Sequence, residues 1–145
     1  MTVLVLGATG MLGSMVADYL ARGSSLTVVA TARTEASRRL FCSRQPSVQW
    51  RLFDAEACRL DDLRELLAGA KWAVNAIGVI KPYIHDDHAQ EVKRAVAVNA
   101  LFPYELARAA EFEGCRVLQI ATDCVFSGDH GRYREGDAHD AQDVY

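Results

Sequence analysis

Three glycines, Gly7, Gly10 and Gly13, stand at three-residue spacing in "VLVLGATGMLG", between an apolar run and a helical pattern. Glycine permits a tight turn and lets backbone N–H groups approach an anion with no Cβ in the way. A helix that starts there adds its positive end. Such a strand–turn–helix unit can cradle the pyrophosphate of a dinucleotide. Gly7, Thr9, Gly10, Met11 and Leu12 are the candidate contacts; a turn that needs glycine for packing alone is the alternative. A carboxylate about 20 residues further on would bind a ribose 2′-hydroxyl. Here the second apolar run closes with "ATAR", where Thr31 and Ala32 bring no carboxylate and Arg33 follows. Arginine binds a 2′-phosphate through a forked, charge-assisted contact. NADP(H) is therefore preferred. Glu35 as an acceptor keeps NAD(H) open, and a solvated Arg33 would decide nothing.

These residues need elements to hold them. Short apolar runs at 3–6, 26–31, 48–53, 72–77 and 116–121 predict five strands. Between them lie helical patterns. Leu12, Met15, Val16, Tyr19 and Leu20 form one stripe, stopped at Gly23. A weaker piece covers 35–42, and Leu60, Leu63, Leu66 and Leu67 mark a helix ending at Gly69. A long pattern over 89–113 is broken or kinked near Pro103. Alternating strands and helices, with the strands almost continuously apolar, predict an α/β fold with a doubly wound parallel sheet. Right-handed crossovers make 3-2-1-4-5 the expected strand order, with a ligand crevice at the carboxyl ends of strands 1 and 4. Asn99 falls among Val92, Ala95, Val96, Phe102 and Leu106 at spacings of one helical face, so its amide is expected to face the core and to be hydrogen-bonded there.

The spacing GxxGxxG, written "GATGMLG", resembles the extended, sugar-nucleotide branch of the short-chain dehydrogenase/reductases. The segment "ATDCVFSG", an acidic loop with Glu135 and Asp137, and Tyr145 resemble the STDxVFxG…YxxxK stretch of dTDP-4-dehydrorhamnose reductases and related enzymes, with Ala121 in place of the usual serine. The resemblance implies that Thr122 hydrogen-bonds the substrate oxygen and that Tyr145 donates the proton during hydride transfer. A free phenol titrates near 10, so such a tyrosine needs a neighbouring cation; in the family a lysine four residues later supplies it. The resemblance further implies that Asp54 and Ala55 meet the adenine, though Asp54 as a helix cap would look the same. "NAIG", Asn75, Ala76, Ile77 and Gly78, would line the cofactor cleft; Asn75 satisfying local backbone is the alternative. Asn99 would brace the turn beneath the cofactor. Lys81, Asp123 and Val125 are candidate substrate contacts.

The expected function is thus the NADP(H)-binding portion of a reductase of nucleotide-linked 4-keto-6-deoxy sugars. The alternatives are an epimerase or dehydratase of the same fold, or a non-catalytic NADP-binding regulatory module. The chain is expected to form one Rossmann domain over 1–145, the N-terminal part of a longer enzyme that continues into further strands and a substrate domain, and to be inactive by itself.

Composition narrows the classes. With a net charge of -3 and no block of lysine or arginine, nucleic-acid binding is not expected. No apolar run reaches the length of a membrane span, and the first residues lack a signal-peptide pattern. The four cysteines, Cys42, Cys58, Cys115 and Cys124, have no CxxC spacing, so reduced thiols in a cytoplasmic protein are expected. His85, Asp86, Asp87 and His88 are adjacent rather than at ligand spacing, and no metal is expected. The last strand is expected at a sheet edge, where unpaired backbone favours self-association into a homo-oligomer.

Overall fold

The computed structural model describes residues 1–23, 25–142 and 144. Five strands, β1 (Thr2–Leu6), β2 (Thr27–Ala32), β3 (Gln49–Leu52), β4 (Ala70–Asn75) and β5 (Arg116–Gln119), form one sheet in the order β3-β2-β1-β4-β5. Every pairing is parallel. This is the doubly wound Rossmann arrangement expected from the alternation of elements.

Alternate side chains of the central strands go to opposite faces. Leu4, Leu6, Val29 and Ala73 pack with Leu63, Leu66 and Leu67 of α3 (Leu60–Leu67) and with Phe102, Leu106, Ala109 and Ala110 of α5 (Phe102–Glu113). Val5, Val28, Ala30 and Ala32 pack with Ala17 of α1 (Met11–Gly23) and with the partly buried Phe41 and Cys42 of α2 (Glu35–Arg44). The strands are buried from both sides, which explains their uninterrupted apolar character.

Two expectations are corrected and a third, the break near Pro103, is met in a specific form. The stripe on α1 does not face the core as a whole. Gly13 and Ala17 are buried, Val16 and Leu20 pack behind them, and Leu12, Met15 and Tyr19 are exposed. The helix lies so close to the glycine turn that a Cβ on Gly13 would sit 2.3 Å from the Gly7 carbonyl oxygen. Close approach selects the small-residue face over the large one. Next, the break in the 89–113 pattern precedes Pro103. The chain runs through α4 (Ala89–Ala95), a π-helical turn (Val96–Leu101) and then α5, with Pro103 in its first turn. Proline has no N–H to donate back to the carbonyl four residues earlier. The turn before it widens, and the Phe102 N–H reaches the Ala97 carbonyl five residues back. A wide turn upsets three-residue spacing, so Val96 is exposed and Val98 is buried. Finally, β4 begins at Ala70, directly after the left-handed Gly69, and stops at Asn75 rather than at 77.

Candidate functional site

The carboxyl ends of the strands open into two adjoining cavities that share the stretch Ala76–Ile77–Gly78. The first, of about 260 Å³, lies over β1, β2 and β3. Its floor is the glycine turn. Gly7 has φ +73, and a Cβ there would meet the backbone of Ala76 at 2.8 Å. The Gly7 N–H donates to Oγ1 of the buried Thr31 at 3.1 Å, which ties the turn to β2. The Gly10 N–H closes the turn on the Gly7 carbonyl at 3.0 Å. The Ser14 N–H donates to the Gly10 carbonyl at 2.9 Å, so the N–H groups of Met11, Leu12 and Gly13 belong to the open first turn of α1. The Met11 and Leu12 side chains stay outside the cavity lining, 85% and 43% exposed. A Cβ on Gly10 would meet only the Gly7 oxygen, at 3.3 Å, and would otherwise project into the open cavity; glycine keeps the approach to these donors clear. A cradle of backbone donors with no side chain in front fits a pyrophosphate.

Thr9, Arg33, Asp54, Ala55, Ala76, Ile77 and Gly78 line the same cavity. Three neighbours that the sequence reading passed over join them. Thr34 and Ser37 stand beside Arg33, where Thr34 caps α2 by accepting the Ser37 N–H. Arg94 reaches over from α4 and pairs with Glu56 at 2.6 Å. Glu35, the acceptor that kept NAD(H) open, is engaged elsewhere: Arg38 and Arg39 hold its carboxyl at about 2. Asp54 Oδ1 accepts the Glu56 N–H, shaping the loop after β3.

Asn75 lies beneath the cavity, not on its wall. It is fully buried; Oδ1 accepts the Ile77 N–H at 3.1 Å, and Nδ2 donates to Gln119 Oε1 at 2.8 Å, joining β4 to β5. Asn99 turns both ends of its amide on one residue. Oδ1 accepts the Val79 N–H at 2.8 Å and Nδ2 donates to the Val79 carbonyl at 2.9 Å. Periodicity pointed Asn99 inward; only the tertiary structure identifies Val79 as its partner.

The second cavity, of about 620 Å³, lies beyond β4 and takes in Asn99, Tyr104, Gln119, Thr122 and Val125. Thr122 Oγ1 accepts the Cys124 N–H at 3.1 Å, which leaves its own O–H to donate. Asp123 lines neither cavity, and its carbonyl accepts the Phe126 N–H. Lys81 borders a separate hollow beside Cys124, Phe126 and Asp140. Over that hollow the 121–142 loop folds on itself, with Ser127 bonded to both oxygens of Asp140 and Phe126 stacked on Tyr133. Tyr145 lies outside the described residues.

The model of the RmlD substrate binding domain family matches residues 1–145. The chain belongs to this family. No curated protein sequence matches it. Among solved structures, UDP-glucuronic acid 4-epimerase from Bacillus cereus, in complex with UDP-glucuronic acid and NAD, superposes with a TM-score of 0.80 at 19% identity, over 99% of this chain and 47% of that one. A short-chain dehydrogenase/reductase from Saccharomyces cerevisiae gives 0.69 at 19% identity, over 85% and 54%. A short-chain dehydrogenase from Streptomyces avermitilis gives 0.66 at 19%, over 86% and 50%. At such identities the likeness is one of fold. The chain spans about half the length of these structures. Among the described residues, no helix is long and apolar enough to cross a membrane.

Proposed function

We propose that this chain is the dinucleotide-binding half of an NADPH-dependent reductase of nucleotide-linked 4-keto-6-deoxy sugars. The observation that carries the reading is the adjacency of the two cavities across Ala76–Gly78, with a side-chain-free backbone cradle in one and the Thr122 hydroxyl in the other. The cradle suits a pyrophosphate, and Arg33 with Thr34 and Ser37 suits a ribose 2′-phosphate. A bound nicotinamide supplies the hydride. Thr122 donates a hydrogen bond to the carbonyl oxygen of the sugar, polarising the bond and stabilising negative charge on oxygen. Tyr145, by its place in the family pattern, delivers the proton that turns this oxygen into a hydroxyl. Asn99 and Asn75 keep the wall between the cavities in shape. The sugar nucleotide would meet Val125 on the wall of the second cavity, and Lys81 and Asp123, outside that wall, would reach it from the neighbouring loops. The epimerase among the fold neighbours makes sugar-nucleotide epimerisation with NAD the second reading; Arg33 in place of a carboxylate at the end of β2 weighs against it.

The test is NADPH oxidation by the full-length protein with a dTDP-4-keto-6-deoxy sugar. Thr122→Ala is expected to lower kcat by about 10²–10³-fold with dinucleotide affinity intact. Interconversion of sugar epimers without net NADPH consumption would replace this reading with the second.

A further inference from the structure

The loop after β4 carries a cluster that neither cavity uses. His85 and His88 close this loop, and Glu91 belongs to the first turn of α4. Along the chain His85, Asp86, Asp87 and His88 show no third ligand at a recognisable spacing. The turn of α4 changes this by bringing Glu91 back over the loop. His85 Nδ1 lies 2.7 Å from Glu91 Oε2, and His88 Nδ1 lies 3.2 Å from Glu91 Oε1. The imidazole rings are neighbours, with centroids 5.2 Å apart and planes tilted by 46°. The carboxylate is pinned from a third side, because the His85 backbone N–H donates to Oε2 at 2.9 Å. One ligand atom from each of the three residues lies within 4.8 Å of the other two. None of the three lines the cavities at the strand ends.

We propose that His85, His88 and Glu91 form a surface site for a divalent transition-metal ion, zinc above all, that fastens the loop after β4 to α4. Two imidazole nitrogens and one carboxylate are a donor set that zinc takes. Magnesium and calcium call for oxygen ligands throughout. Bonds of about 2.0–2.2 Å place tetrahedral ligand atoms roughly 3.3 Å apart. The two histidine nitrogens stand 2.7 and 3.2 Å from the two different oxygens of Glu91, and one donor atom from each of the three residues falls within 4.8 Å of the others, so these spacings bracket that value and side-chain rotations would bring the three onto one ion. The side chains are partly exposed, which leaves a fourth position to water or to a further donor. Asp86 and Asp87 flank the site and add negative charge. The clamp bears on the cleft through its two ends. The loop carries Val79 at the cavity wall, and α4 carries Arg94.

Calorimetric titration of zinc chloride into the full chain, at about pH 8, above the ordinary range of histidine, tests the site. One equivalent is expected to bind with micromolar affinity and to shift the ring signals of two of the four histidines in NMR spectra. His85→Ala, His88→Ala and Glu91→Gln should each weaken binding at least tenfold, the lower end of what loss of a supporting group costs a metal site. A hundredfold excess of magnesium should displace nothing. The proposal is overturned by the absence of saturable zinc binding below millimolar concentration. It is equally overturned if any of the three substitutions changes the affinity by less than threefold, which would place the zinc on the thiols or elsewhere, or if magnesium competes.

Discussion

Gly13→Ala and Gly10→Ala should separate the fold of the glycine turn from its function. A methyl on Gly13 would lie 2.3 Å from the Gly7 oxygen, 2.8 Å from the Gly7 carbonyl carbon and 3.0 Å from the Ala8 Cα. All three are backbone atoms of the turn itself, so no side chain can swing aside. Overpacking costs about 1–3 kcal/mol where side chains can yield; with only backbone to move, the upper end applies, about 3 kcal/mol. For a domain of this size that lowers Tm by roughly 10 °C. A methyl on Gly10 meets only the Gly7 oxygen, at 3.3 Å, and a shift of a few tenths of an ångström relieves the contact. Gly10 is not in a left-handed conformation, so alanine also restricts the unfolded chain, which is worth about 0.4–1 kcal/mol in the opposite direction. Its stability should stay within about 1 kcal/mol of the parent. The same methyl stands where a pyrophosphate would approach, so Gly10→Ala should lose dinucleotide affinity by tenfold or more while remaining folded. Urea melts followed by circular dichroism and calorimetric titration of NADPH measure the two effects. An unchanged melt for Gly13→Ala, or parental NADPH affinity for Gly10→Ala, would refute this account of the turn.

Arg33→Ala should weaken NADP(H) binding by tenfold or more and leave NAD(H) little changed, as measured by titrating both; equal affinities in the parent chain would remove the basis for NADP(H) preference. Asn99→Leu leaves the Val79 N–H and carbonyl without their partners and should cost about 1–3 kcal/mol in urea unfolding, with amide exchange quickening at Val79 and Gly78 first. Glu35 offers a pH test. Its folded value of about 2 lies below its ordinary 4.5, so its contribution to stability is fully present above 4.5 and fades as pH falls towards 2. The difference in urea midpoint between the parent and Glu35→Gln should be constant from pH 5 to 7 and close at lower pH; a difference that grows with acid would contradict the ion pairs seen on α2.

Much of this protein is written in local pattern. A buried parallel strand needs an unbroken apolar run, and a helix between two such strands forces a crossover. The alternation of 3–6, 26–31, 48–53, 72–77 and 116–121 with helical stretches was therefore enough for the sheet and its order. The glycine spacing was legible because only glycine permits the backbone approach that the Gly7 and Gly13 contacts display. Tertiary structure decided what depends on distance between remote segments. The inward face of α1 was chosen by how closely that helix presses on the turn, which favours Gly13 and Ala17 over Met15 and Tyr19. The place where the long helix widens follows from the N–H that Pro103 lacks, but Val79 as the anchor of Asn99 does not, since the two lie on separate elements. Gln119 under Asn75, Glu56 against Arg94 and Glu91 between two histidines likewise arise only when the chain is folded. Side-chain type announces what a residue can bond to; which partner it meets is settled by the packing of strands and helices that brings the two within about 3 Å.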